Sequence, residues 1–390
     1  MRVLRIAALA GAVCLAPRGV SRIAAADWPV FRGDAAHTGV AVPPEKLAAV
    51  PRQVWVFETG EDPVESSAAI VEKTAYIGTA LGEILAIDID TGKPGWRFQP
   101  AQPPGVESRP PGIRSSPAVG GGRVFYGDVA GVFRALSTAD GKEVWQFKTE
   151  GEIVSSANLA EDRVLFGSYD SNLYCLGQKD GELLWKVQTE GQIFGGPAIA
   201  AGSALIAGCD GQLRAIGLAN GKETASGDMG GYAAASAAVE GEMAFIPTYA
   251  NQVIAVEWKK GNLAWKYEHP DRQFPFHASP ALAGDRVIAA GRDKHVYALE
   301  KKTGKFLWEF PTKARIDSSP AICGPIVFIG SSDGELYALA LKDGQKKWSF
   351  TAGAPITASP SIAAGRLVIG SGDGRVYCFD LREGPPGKSP

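Results

Sequence analysis

The chain has 390 residues, 45% of them hydrophobic, with 48 Gly, 26 Pro and a formal net charge of −2. That length is long for one ordinary globular core but suits a single radial repeat array, and so much Gly and Pro favours short strands and tight turns over long helices. A near-neutral charge without clusters of Lys or Arg speaks against nucleic acid or an anionic membrane as a partner.

In chain order, the first segment, residues 1–26, reads as an export signal. Arg2 and Arg5 precede an apolar run from Ile6 to Ala16, and Ala24-Ala25-Ala26 offers a small-residue cleavage site before Asp27. The run is too short to span a bilayer, and no later stretch reads as a transmembrane helix. Its loss removes four Arg and no acid, leaving 36 basic against 42 acidic residues, near −6. Cys14 follows Val13 rather than a small residue, so lipid attachment is not expected. The expected location is the periplasm or another extracytoplasmic space. Residues 27–52 are an extension expected to pack on the following domain. Within it, His37 and Asp34 are read as part of a surface cap rather than as an acid–base pair.

From 53 to 383 one unit of about forty residues recurs, clearest at Ile113–Trp145, Ile153–Trp185, Phe276–Trp308 and Ile316–Trp348. In the last of these, Ser318-Ser-Pro-Ala-Ile opens as a short strand and Ile326-Val-Phe-Ile-Gly is a second. A Ser-x-Asp-Gly turn at Ser331–Gly334 reverses the chain, Leu336-Tyr-Ala-Leu is a third strand, and Lys347-Trp348-Ser-Phe follows the Asp343-Gly344 turn as a fourth. Four antiparallel strands at this period predict an all-β propeller blade, WD40-like in architecture.

The innermost strands are counted by their small-residue pairs. These are Ser66-Ser67, Ser115-Ser116, Ser155-Ser156, Gly195-Gly196, Ala235-Ser236, Ala278-Ser279, Ser318-Ser319 and Ala358-Ser359, which gives eight blades. Trp96, Trp145, Trp185, Trp265, Trp308 and Trp348 mark outer strands; blade four has Ala225-Ser226 there, and blade eight ends at Asp380-Leu-Arg-Glu-Gly without a fourth strand. Gln53-Val-Trp55-Val-Phe-Glu carries the missing pattern at the other end of the domain. Pairing it with the last blade closes the ring and removes an exposed edge. Each recurring indole is expected between blades, where its burial is worth about 2–3 kcal/mol. Blade four, without one, is expected to be the loosest joint. Residues 384–390 read as a disordered tail, and the domain is expected to be a monomer.

Most connections from outer Trp to the next small pair run ten residues. Trp96 to Ser115 is longer, through Glu107 and Arg109, and so is Trp265 to Ser279, through His269 and Arg272. Both insertions fall on one face, a common place for a repeat protein to meet a partner. The residues leading into the inner strands are, by blade, Glu65, Arg114, Val154, Phe194, Ala234, His277, Asp317 and Thr357. Glu65 with Arg114, and His277 with Asp317, fall on neighbouring blades at the channel mouth. They either pair and plug that mouth or form a pocket for a small ligand or ion. Cys175, Cys209, Cys323 and Cys378 are neither adjacent nor at Cys-x-x-Cys spacing, and the four His lack metal-ligand spacing, so no metal site is expected.

The segments Thr91-Gly92-Lys93-Pro-Gly-Trp96 and Thr303-Gly304-Lys305-Phe-Leu-Trp308 resemble the tryptophan-docking motif of the pyrroloquinoline quinone (PQQ) enzyme-type propeller. Asp27-Trp-Pro-Val-Phe-Arg-Gly-Asp-Ala-Ala-His-Thr-Gly is similar to the opening of exported PQQ-like repeat proteins. That family includes both quinoprotein dehydrogenases and scaffolds such as the outer-membrane assembly protein BamB. For a dehydrogenase the resemblance would imply PQQ over an aromatic floor, Ca²⁺ and an Asp base, often with two adjacent cysteines. Here no cysteines are adjacent, no inner strand carries Trp, and Glu65 and Asp317 are the only mouth carboxylates, against about six oxygens for Ca²⁺. The expectation is therefore an envelope scaffold binding a protein or peptide, with no catalytic residue and no cofactor. A PQQ- and Ca²⁺-dependent oxidoreductase and a small-ligand sensor remain as alternatives.

Overall fold

Eight antiparallel sheets of four strands stand around an axis in the computed structural model, which describes residues 27–60, 62–101 and 110–384. The export signal, the Pro-rich part of the first insertion with Glu107 and Arg109, and the tail from residue 385 lie outside the described residues. The second and third strands of each blade are apolar along their length because neighbouring blades cover both faces. Ile326–Gly330 and Glu335–Ala340 are buried at nearly every position. Outer strands such as Glu143–Lys148 expose one face to water and alternate instead. The inner strands are three residues long, as at Ala321–Cys323, and begin just after the small pair rather than within it.

Ring closure follows the sequence expectation. Leu47–Glu58 pairs antiparallel with Arg375–Arg382, completing the eighth sheet and setting Trp55 opposite Cys378. A register shift just before the Trp of each outer strand, as between Glu143 and Trp145, turns the indole toward the next blade. There the Nε1–H of Trp55 donates to the Ile89 carbonyl (2.9 Å), that of Trp145 to Gln178 (3.1 Å) and that of Trp308 to Leu341 (3.0 Å).

Blade four joins blade five differently. With Ala225 in place of the indole, the backbones close directly, and a Cβ on Gly227 would lie 2.6 Å from the Gly261 carbonyl oxygen. The space is filled from the other side. Trp258, on a turn of blade five, is buried in the cluster that Ala225 packs against and donates to the Gly241 carbonyl at 3.1 Å. The sequence reading gave Trp258 no such role.

The extension also departs from the surface cap expected of it. Asp27–Ala41 runs around the inside of the channel and is hydrogen-bonded to the inner strand of each of the first seven blades. Trp28 pairs with Ile70, and the carbonyls of Pro29, Ala35, Ala36, Thr38 and Gly39 accept from Val119, Ile199, Val239, Leu282 and Ile322. On blade three the contact is the Asn158 side chain, which donates to Ala35 O at 2.8 Å. Val40–Ala41 then adds a parallel strand to blade seven. Inner strands at the axis have edge amides with no sheet partner, and this segment supplies their acceptors. His37 and Arg32 are fully buried as a result.

Candidate functional site

Above this plug the channel narrows through a belt of serines. Each second member of the small pairs sends its amide to the hydroxyl of the next blade: Ser67 to Ser116, Ser116 to Ser156, Ser236 to Ser279, Ser279 to Ser319, Ser319 to Ser359 and Ser359 back to Ser67, all at 2.9–3.1 Å. Gly196 donates to Ser236 in the same way at 2.8 Å but offers no hydroxyl to Ser156. The belt and the Phe31 ring below it line an axial cavity of about 170 Å³ that opens into the mouth. The repeated small pair is thus explained by inter-blade hydrogen bonding where side chains crowd the axis.

The mouth opens above the belt. The structure brings the four sequence-predicted residues to one rim, with Arg114 Nε 3.9 Å from Glu65 and His277 Nδ1 3.7 Å from Asp317. Neither contact is short. Asp317 has two stronger partners, Arg292 Nε at 2.7 Å and Arg315 Nε at 3.0 Å. Burial lowers the His277 pKa, Arg292 lowers it further, and Asp317 works the other way, so the ring is neutral at neutral pH.

On the other side, blades three to five present Tyr169, Phe194, Cys209, Tyr232 and Tyr249. Phe194, Cys209, Tyr232, Ala234 and Tyr249 line an apolar slot of about 290 Å³. Tyr169 packs on Phe194 with ring centres 4.5 Å apart, and Tyr249 meets His277 edge-on at 5.9 Å. Burial raises the Cys209 thiol to about 11, which leaves it protonated and unreactive at neutral pH.

Arg292, Arg315, Tyr232 and Tyr249 escaped the sequence reading, although the repeat contains the signal. The second residue of each reversing turn reads Ala80, Val129, Tyr169, Cys209, Tyr249, Arg292, Ser332 and Gly372 by blade, and Cys209, Tyr249 and Arg292 among them line the mouth. Its amide bonds to the carbonyl of a third column: Pro63, Gly112, Glu152, Gln192, Tyr232, Pro275, Arg315 and Pro355. Arg315 and Tyr232 hold equivalent positions, as do Arg292 and Tyr249. Aligning turns as well as strands would have found them.

The turn aspartates explain the rest of the Ser-x-Asp-Gly pattern. Asp333 accepts from the Glu335 amide (3.0 Å), the Tyr337 hydroxyl (2.9 Å) and the Lys313 amide of the preceding connection (2.9 Å). It is a latch between a turn and the loop beside it. The second insertion is held by Arg272, which donates to the Tyr297 hydroxyl (3.1 Å), contacts His295 (3.2 Å) and His269 (2.7 Å), and pairs with Glu309.

The donors at this rim do not match those that a calcium–quinone site requires. Asp317 is engaged by two guanidinium groups, Glu65 lies beside Arg114, and the remaining mouth polar groups are mostly cationic, whereas Ca²⁺ takes six to eight oxygens. Among the described residues no group of three or more His, Cys, Asp or Glu is placed to hold a metal ion.

A family model described as outer membrane protein assembly factor BamB matches residues 81–233 and 228–386. BamB of Escherichia coli K12 is similar, 33% identical over 88 residues, 22% of each chain. The matched stretch spans about a quarter of the curated BamB relatives or less. Among solved structures, BamB from Moraxella catarrhalis has a TM-score of 0.71 at 18% identity, covering 85% of this chain and 100% of that one. Quinohemoprotein alcohol dehydrogenase from Comamonas testosteroni has a TM-score of 0.76 at 15% identity, covering 93% and 82%. At these identities the structural likeness is one of fold, shared by enzyme and assembly factor alike.

Proposed function

This chain belongs to the family described as outer membrane protein assembly factor BamB, and on that basis we propose a non-catalytic platform in the cell envelope that holds a protein segment during outer-membrane protein assembly. The observation that carries this reading is the division of the channel. Its inner half is filled by the chain's own residues 27–41, and the mouth carboxylate Asp317 is held by Arg292 and Arg315, which leaves a shallow recognition surface rather than a reaction chamber. Docking indoles at seven of the eight blade joints, together with the serine belt, make that surface rigid, so little ordering cost is met on binding. The export signal read in residues 1–26 would deliver the chain to the compartment such a role requires.

The test is deletion of the gene with quantification of β-barrel proteins in the outer-membrane fraction. A fall in their amount, restored by the wild-type gene, supports the platform. Unchanged levels overturn its assembly role, and dye-linked alcohol or sugar oxidation by purified protein with added PQQ and Ca²⁺ overturns the non-catalytic reading.

A further inference from the structure

The mouth is divided by chemistry, and the division points to the kind of segment it takes. One arc is aromatic, with Tyr232 58% exposed at the edge of an apolar slot that already has the volume for an indole or phenol ring. The opposite arc carries Arg114, Arg292 and Arg315 against Glu65 and Asp317, an excess of one positive charge. Arg292 and Arg315 already share Asp317, so they have donors to spare. Arg114 is 3.9 Å from Glu65 with a side chain 58% exposed, beyond hydrogen-bond range and free to turn toward an incoming carboxylate. The two arcs meet where His277 touches Tyr249, ring centres 5.9 Å apart.

We propose that this mouth docks an extended partner segment presenting an aromatic side chain to the slot and an Asp or Glu one or two residues away to the arginines. The proposal rests on the platform reading and gives its partner a chemistry. An extended chain sets residues i and i+2 on one face about 7 Å apart, so a single short segment serves both arcs. Aromatic and Arg anchors in pockets are where binding energy concentrates at such surfaces, and the net charge at the rim selects an acidic neighbour over a basic one. The belt and Phe31 close the floor, so the segment lies across the mouth and does not thread the channel.

The experiment is fluorescence anisotropy with a labelled peptide, acetyl-Gly-Ser-Trp-Gly-Glu-Gly-Ser-amide, against full-length protein. Expected are saturable binding and a loss of about tenfold or more for Tyr232→Ala, for Arg315→Ala and for the peptide with Gln in place of Glu. Affinity falls with salt for the wild type and much less for Arg315→Ala. Both side chains are exposed, and circular dichroism of the two variants confirms that they fold. Equal binding of the Glu and Gln peptides, or unaltered binding by both variants, overturns the proposal. So does indole-3-acetate binding as tightly as the peptide, which would make this a small-molecule site. Tyr232→Ala and Arg315→Ala strains with normal outer-membrane protein levels, where the deletion strain is deficient, overturn docking at the mouth and leave the platform standing.

Discussion

Trp145 lies flat against Gly181 of the next blade. A Cβ on that glycine, whose φ is +73°, would come within 2.7 Å of the indole ring. The same seat holds Trp55 on Gly92, Trp96 on Gly141, Trp265 on Gly304 and Trp308 on Gly344. The turn glycine and the tryptophan are therefore two halves of one contact between blades. Gly181→Ala adds left-handed backbone strain and displaces the ring, costing at least about 2 kcal/mol. Trp145→Ala costs about 3–5 kcal/mol. The double variant costs less than the sum, because the glycine matters only while the ring is there. Urea unfolding midpoints of the three proteins check this; strict additivity would refute the coupling.

The belt of serines has one gap, and filling it will not help. Gly196→Ser would supply the acceptor that the Ser156 amide lacks, worth about 1 kcal/mol. Its Cβ, however, would sit 2.6 Å from the Ser156 backbone oxygen, which cannot swing away. The clash wins. Gly196→Ser is expected to melt below wild type, and Gly196→Ala, with the clash but no hydroxyl, lower still. A rise in melting temperature for Gly196→Ser would show that the blades can part there.

His37 makes the plugged channel sensitive to acid. Burial lowers its pKa to about 3, with the Arg32 charge in the same direction and the Ala237 backbone opposing. Asn158 Nδ2 lies 3.1 Å from Nε2, the arrangement of a neutral ring that accepts there. The unfolded chain takes up a proton near pH 6.5 and the folded one only near 3, so stability declines as pH falls between those values. His277, also shifted down, adds a decline of the same sign. His37→Gln keeps an acceptor for Asn158 and is expected to flatten the loss of melting temperature between pH 7 and pH 5. An unchanged slope would assign the effect elsewhere.

Arg272 fastens the second insertion through contacts to His269, His295, Tyr297 and Glu309, and its guanidinium sits 5.7 Å over the Tyr297 ring. Arg272→Ala is expected to open residues 266–278 to limited proteolysis while thermal unfolding changes by less than about 2 °C, since the core beneath is untouched. Arg272→Lys should not restore protection, because an ammonium group cannot meet four partners in one plane. Wild-type resistance in Arg272→Ala would mean that the loop is held by its own packing.

The repeat was legible because each blade buries the same surfaces, so selection for packing leaves the same residues at the same spacing. Blade number, docking tryptophans and closure through Trp55 were open to reading for that reason, and the column that holds Glu65, Arg114, His277 and Asp317 could be read from the same spacing. What escaped lay where repeats differ. Trp258 fills the Ala225 gap from the neighbouring blade, a compensation with no local signature, and Arg292, Arg315, Tyr232 and Tyr249 sit on turns that the strand pattern leaves unaligned.

Sequence alone determined the propeller, since periodic burial is a property of strands and turns that neighbours along the chain enforce. Only the tertiary structure decided what occupies the axis. Residues 27–41 carry no repeat and little apolar pattern, and they lie inside because eight inner strands offer unpaired amides there, a demand that exists only once the ring has closed. The same closure divides the mouth into an aromatic and a cationic arc, because side chains distant from one another in the chain meet only around a common axis.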